Sequence, residues 1–179
     1  ALGFCVSKKH AHFMAEYFEK HNIPSMALDA DSKKEERDSA CTQLASGELK
    51  CLFVVDLFNE GVDIPEVNTV LFLRPTNSMT VFLQQLGRGL RLSKGKDCLT
   101  VLDFVAQANT KYDFASRFSS LLGKRHVQIS KEIKNKFPHV PKGCSIQLEE
   151  IAEKNILDNI RKRLRNSDFY KELVKELYC

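Results

Sequence analysis

Three stretches of this chain, "CLFVV" (51–55), "TVLFL" (69–73) and "CLTVLDF" (98–104), are nearly unbroken apolar runs rich in Val, Leu and Phe. A strand with one face in water alternates apolar and polar residues, whereas a strand covered on both faces reads as a continuous run. Strands of that kind belong to parallel sheets sandwiched by helices, and the chain supplies helix-type spacing between them. From Lys9 to His21 the pairs Phe13/Tyr17 and Met14/Phe18 fall at i, i+4, as an amphipathic helix requires. A second helix is expected from about Lys33 to Ala45, closed by Gly47. With "LGFCV" (2–6) and "SMAL" (25–28) as further strands, residues 1–105 predict βαβ units in an α/β, doubly wound, mainly parallel sheet.

After Phe104 the texture changes. Residues 111–136 read as helical and increasingly basic, and "FPHVPKG" (137–143) reads as a connector because of its prolines and glycine. "CSIQL" (144–148) is a candidate short strand. Ala152, Ile156, Ile160 and Leu164, widened by Leu157, mark one face of a helix over about Glu149–Arg165, and a further helix is expected near 168–178. The expected division is therefore a sheet domain over 1–123 and a mostly helical, basic C-terminal extension over 124–179.

Composition narrows the classes. With 179 residues, 43% hydrophobic and 28% charged, the chain is long enough for a proper core. No apolar run approaches the ~20 residues that span a bilayer. The opening "ALGFCVSKKH" has neither the basic start nor the long apolar core of a signal peptide. Its lack of a methionine is expected of a fragment cut from a longer protein. The six cysteines are scattered without a CxxC pair, which favours reduced thiols and a cytoplasmic location. The net charge of +4 is uneven: residues 1–123 balance at −1 and residues 124–179 at +5. A basic C-terminal third is compatible with nucleic-acid contact, although basic helices are often merely solvated.

In a sheet of this kind ligands bind beyond the carboxyl ends of the strands, and several loops there carry distinctive chemistry. Ser7, Lys8 and Lys9 follow the first strand, where a hydroxyl and helix-start amides can hold phosphate or simply cap a helix. In "VVDLFNEGVDIPEV" (54–67) a buried strand delivers Asp56, Gly61 permits a tight turn, and Asp63 is presented beyond it. "QQLGRGLRLSKGK" (84–96) places Arg88 and Arg91 three apart, on one face of a continuing helical turn, able to converge on one anion. It is not a phosphate-binding loop in its own right: Gly89 to Gly95 is one residue too long for a P-loop, and Asp97 follows Lys96. A G-x-G-x-x-G fingerprint fails at Leu92. Lys94 and Lys96 read as solvated turn residues.

Taken together, these residues resemble the second RecA-like domain of superfamily 2 helicases and translocases, over roughly residues 1–105. "GFCVSKKHA" resembles motif IV, with Arg37 placed like the family's helix-borne arginine. Gly61-Val62-Asp63-Ile64-Pro65, with Asp56 upstream, looks like motif V. Gln84-x-x-Gly87-Arg88-x-x-Arg91 looks like motif VI, the arginine-finger motif. "FNEGVDIPEV", "LRPTNS", "FLQQLGRGLRLSKGK" and "LDF" together resemble bacterial restriction-type helicases and helicase fusions to phospholipase-D-type nucleases.

The resemblance implies an ATP-dependent motor working on DNA, with RNA as an alternative. It assigns catalysis to Arg88, Arg91 and Gln84, and contacts with ATP to Gly61, Asp63 and Gly87. Nucleic-acid contacts fall to Ser7, Lys8, Arg37 and Asp56. Val55 stands where motif V commonly has Thr, so one backbone-contacting hydroxyl is missing. The sequence contains neither a Walker A motif nor D-E-x-[DH]. ATP and Mg2+ are therefore expected to be held mainly by a first RecA-like domain, the partner of this one, and these residues alone are expected to hydrolyse no ATP. The other readings are a nucleic-acid-binding or assembly module built on Arg161-Lys162-Arg163-x-Arg165, and a small-molecule-binding flavodoxin-like domain.

Overall fold

In the computed structural model, the described residues are 1–55, 64–74, 96–104, 113–140 and 142–165. The chain divides into two compact units, Ala1–Phe104 and Val105–Cys179.

The first unit runs β1 (Leu2–Phe4), α1 (Lys8–Lys20), β2 (Ser25–Leu28), α2 (Lys34–Ser46), β3 (Cys51–Val54), β4 (Thr69–Phe72) and β5 (Thr100–Asp103). The five strands are all parallel, in the order β2-β3-β1-β4-β5. From β1 to β2 the chain steps past β3 in one direction, and from β2 to β3 it steps back. Right-handed crossovers therefore put α1 and α2 on opposite faces, as a doubly wound sheet requires.

The register sets Gly3 beside Phe53 and Leu71, and Phe4 beside Val54 and Phe72. Side chains alternate between faces, so Phe53 and Leu71 join Cys5, Ala27, Ala11 and Ala15 in the layer under α1. Phe18 of α1 meets the Phe53 ring edge-on, with centroids 5.0 Å apart. On the other face Phe4 and Phe72 stack at 5.7 Å. Gly3 is needed for this packing: a Cβ there would lie 2.5 Å from Cδ1 of Phe53.

The five expected strands and the helices expected over about 9–21 and 33–45 form with shifted ends, and Gly47 closes α2 in the left-handed region at φ 82°. The helical turn expected to carry Arg88 and Arg91 lies outside the described residues. Two expectations change. Of the two i, i+4 pairs on α1, Met14/Phe18 turns inward, but Phe13/Tyr17 is exposed, its rings stacked on each other at 6.1 Å. "CLTVLDF" was expected to be covered on both faces, yet all four residues of β5 are exposed. Among the described residues it stands at the sheet edge beside β4, with its side chains open on both faces.

The second unit contains α3 (Phe114–Leu122), α4 (His126–Lys134) and α5 (Glu150–Arg165). The expected helix over 111–136 is broken, because Gly123 takes φ 62° and caps α3. Phe114, Phe118, Ile129, Ile133, Phe137, Ile156 and Ile160 form its core. "CSIQL" is not a strand; Ile146 and Leu148 instead pack onto that core from irregular backbone. The stripe on α5 forms as expected at Ile156, Leu157 and Ile160. The side chain of Leu164 and the helix expected near 168–178 lie outside the described residues.

Candidate functional site

The carboxyl end of β1 leads directly into α1. Ser7 caps that helix from an extended conformation, its Oγ accepting from the His10 amide at 3.2 Å. The first turn then carries Lys8 and Lys9 and no acidic residue. Cations at a helix N-terminus oppose the macrodipole, at a cost of about 0.3–1 kcal/mol each when exposed. A chain that places them there creates a positive end that an anion relieves.

The anions nearest that end come from the turn after β2. Lys8 Nζ pairs with Asp31 and lies 3.7 Å from Asp29, and His12 Nε2 lies 3.3 Å from the second oxygen of Asp29. Asp29 is buried, at 8% exposure. Its Oδ1 accepts from the Asp31 amide at 2.8 Å, and its own amide donates to Ser32 Oγ at 3.0 Å. The Asp31 amide chiefly, then His12 and Lys8, hold the Asp29 carboxyl below its ordinary pKa. Lys8 is raised above its ordinary value, first by the hydrogen bond to Asp31. Arg37, in the first turn of α2, donates from Nη2 to the Ala30 carbonyl at 3.2 Å. Thus Lys8 and Arg37, far apart in sequence, meet at one turn, Asp29–Ser32, while the Ser7 hydroxyl is engaged by its own helix. His12, Asp29 and Asp31 belong to this cluster but were not among the sequence candidates. The only advance signal was "LDAD" closing a strand, and it does not disclose which cations it will meet.

At the end of β3, Val55 is half-buried against the layer under α1, alongside Leu73. Arg74 follows β4 and lies near Cys5: burial pushes that thiol up to about 11, and the guanidinium opposes the shift.

The other candidates, Asp56, Gly61, Asp63, Gln84, Gly87, Arg88 and Arg91, lie outside the described residues, as does Lys94. What flanks them is described. Ile64 and Val67 are buried at 6% and 5% exposure. Lys96 Nζ donates to the Pro65 carbonyl at 2.9 Å. Lys96 is therefore not the solvated turn residue expected; it is half-buried, and desolvation lowers its pKa while Glu66 partly offsets that. The bond joins the residues that follow the first candidate segment to those that follow the second.

In the second unit the basic run of α5 is not uniformly free. Arg163 pairs with Asp113 at 2.8 Å and Arg161 with Asp158 at 3.4 Å, while Lys162 is exposed. The side chain of Arg165 lies outside the described residues. Among the described residues no group of His, Cys, Asp and Glu could hold a metal ion, and no helix is long and apolar enough to cross a membrane.

Residues 1–93 match the helicase conserved C-terminal domain family. IRC3 of Saccharomyces cerevisiae, provisionally named an ATP-dependent helicase, is 31% identical over 167 residues, covering 93% of this chain and 23% of that protein. The pre-mRNA-splicing ATP-dependent RNA helicase PRP28 of Cryptococcus neoformans is 26% identical over 101 residues, covering 56% of this chain and 14% of its own length. Among solved structures, the yeast DEAD-box splicing factor Prp28 superposes with a TM-score of 0.60 at 19% identity, over 87% of this chain and 30% of that one. The chain therefore spans less than a quarter of either sequence relative. The match covers more than half of the chain, including both candidate segments, and with the parallel five-stranded sheet it makes this chain a member of the helicase conserved C-terminal domain family of superfamily 2 helicases.

Proposed function

We propose that the chain is the second motor domain of an ATP-dependent nucleic-acid helicase or translocase, completing an ATPase site whose other half lies on a first RecA-like domain. The observation that carries this is the family match over residues 1–93, a span that takes in 56–63 and 84–91 together. The Lys96–Pro65 bond supports it by holding the exits of those segments to one another.

Arg88 and Arg91 reach across to the γ-phosphate and offset the charge that develops there, as arginine fingers do. Gln84 orients this element, Gly87 lets the backbone approach the nucleotide, and Gly61 and Asp63 lie by the ribose. ATP and Mg2+ are held mainly by the first domain. Ser7, Lys8, Arg37 and Asp56 contact the backbone of the tracking strand, DNA in the first instance and RNA otherwise. Residues 1–123 act as the motor domain, and 124–179 begin a further C-terminal region. Cytoplasmic action and kinship with bacterial restriction-type helicases or phospholipase-D-type nuclease fusions belong to this same reading. The binding-module alternative is the weaker one, because Arg163 of its basic run is committed to Asp113.

The test is ATP turnover by the full-length parent. Arg88→Ala and Arg91→Ala are each expected to lower kcat by about 10³-fold or more, the usual worth of an arginine finger, while ATP binding survives. Unchanged turnover overturns the assignment. The 179-residue chain alone is expected to release no phosphate above background with DNA or RNA present.

A further inference from the structure

We propose that Asp31 occupies, on Lys8, the place of a nucleic-acid phosphate, so that a strand binds this loop by exchanging one anion for another; this rests on the reading of Ser7 and Lys8 as backbone contacts. The N-terminus of α1 presents Ser7, Lys8 and Lys9 with no acid in its first turn, which is the arrangement that receives an anion. An anion is already there. Asp31 comes from the turn after β2, and its carboxylate oxygen is paired with Lys8 Nζ. The two carboxylates in reach of Lys8 differ in one respect that decides their roles. The Asp29 side chain is 11% exposed and is also engaged by the Asp31 amide and by His12, so it cannot withdraw. The Asp31 side chain is 82% exposed and can swing into water. Lys8 itself is 46% exposed, open to a strand arriving from solvent. Asp29 is the fixed anchor and Asp31 the displaceable competitor. The ligand chemistry is a phosphodiester backbone, common to DNA and RNA.

The experiment measures affinity of the 179-residue chain for single-stranded DNA and RNA oligonucleotides by fluorescence anisotropy at several salt concentrations. Lys8→Ala is expected to weaken binding and to lower the slope of log K against log salt by about 0.7, one phosphate contact on a single strand. Asp31→Asn is expected to tighten binding about two- to five-fold, the scale of an exposed ion pair removed from competition. In the Lys8→Ala background the same substitution is expected to give no gain. A gain that persists there means general repulsion and overturns the proposal. So does an Asp31→Asn chain that binds no tighter while Lys8→Ala still weakens binding. If the wild-type chain does not bind at low salt, or Lys8→Ala changes neither affinity nor slope, the reading of this loop as a backbone contact falls first and takes the inference with it. Because Asp31 is exposed, its substitution leaves folding intact, which circular dichroism checks. The gain is expected with either strand, and the tighter of the two identifies the track.

Discussion

Lys96 donates from its ammonium to the carbonyl oxygen of Pro65 at 2.9 Å, across 31 positions of sequence. A hydrogen bond to a charged group contributes about 1.5–3 kcal/mol, and here it ties together the segments that lead into the paired strands β4 and β5, just ahead of the Thr69–Thr100 register. Lys96→Met is expected to lower unfolding free energy by about 1–2 kcal/mol, the smaller figure reflecting the stem packing it keeps. The chain contains no tryptophan, so the measurement is urea unfolding followed by circular dichroism. In the full-length parent the same variant is expected to lose more turnover than nucleotide affinity.

Gly3 lies under the ring of Phe53, where a Cβ would approach to 2.5 Å. That ring is wedged in turn by Phe18, so it has no open side into which to retreat. Gly3→Ala is expected to destabilise the first unit by about 1–3 kcal/mol through overpacking. The double variant with Phe53→Leu is expected to recover part of the loss, and failure to recover any would place the strain elsewhere.

The thiols are sorted by environment. Cys5 is fully buried and its pKa stands at about 11, so almost no thiolate exists near neutral pH. Cys98 and Cys144 are exposed. Alkylation at pH 8, mapped by mass spectrometry, is expected to modify Cys98 and Cys144 within minutes and Cys5 only on unfolding. Labelling of Cys5 at the rate of Cys144 would contradict this packing.

Asp113 serves the second unit twice. Oδ1 caps α3 through the Ser116 amide at 2.9 Å, and Oδ2 accepts from Arg163 at 2.8 Å. Asp113→Ala is expected to cost about 1–2 kcal/mol, the upper range of an N-cap loss, and Arg163→Ala less. In a double-mutant cycle the two losses are expected not to add, since the ion pair is shared.

The Asp29 carboxyl has a folded pKa below its ordinary value of 3.8, chiefly because of the Asp31 amide. The sign follows: its contribution to stability is fully present above pH 3.8 and is lost as pH falls through the lower folded value. Asp29→Asn keeps an acceptor for the Asp31 amide but removes the charge. Acid unfolding of that variant is expected to show a shallower pH dependence below pH 4 than the wild type, read from melting temperatures at successive pH values.

The strands of the first unit were legible because burial on both faces leaves no room for polar residues in "CLFVV" and "TVLFL". β5 misled for the converse reason: an apolar run records what a strand can tolerate, not whether anything is laid over its faces. Gly123 was readable as a stop in principle, but the basic residues on either side suit one helix as well as two. Of the site, Ser7 and Lys8 announced themselves by position, at the start of a helix after a strand. The partners Asp29 and His12 did not, since only the crossover that lays α1 over β2 brings them together. Lys96 was misjudged because an exposed-looking "SKGK" cannot reveal a carbonyl waiting 31 residues upstream.

The position of β1 has a consequence for how the domain is made. It precedes the other strands in the chain yet occupies the middle of the sheet, with β3 on one side and β4 on the other. On a ribosome it emerges before either neighbour exists, and its backbone groups must wait until residues 51–72 have left the exit tunnel. Until then an apolar strand with two unpaired edges is exposed, held only by what α1 can cover. Completion of the sheet is therefore governed by long-range closure rather than by the order of synthesis, and the nascent chain is most vulnerable to misassociation in that interval.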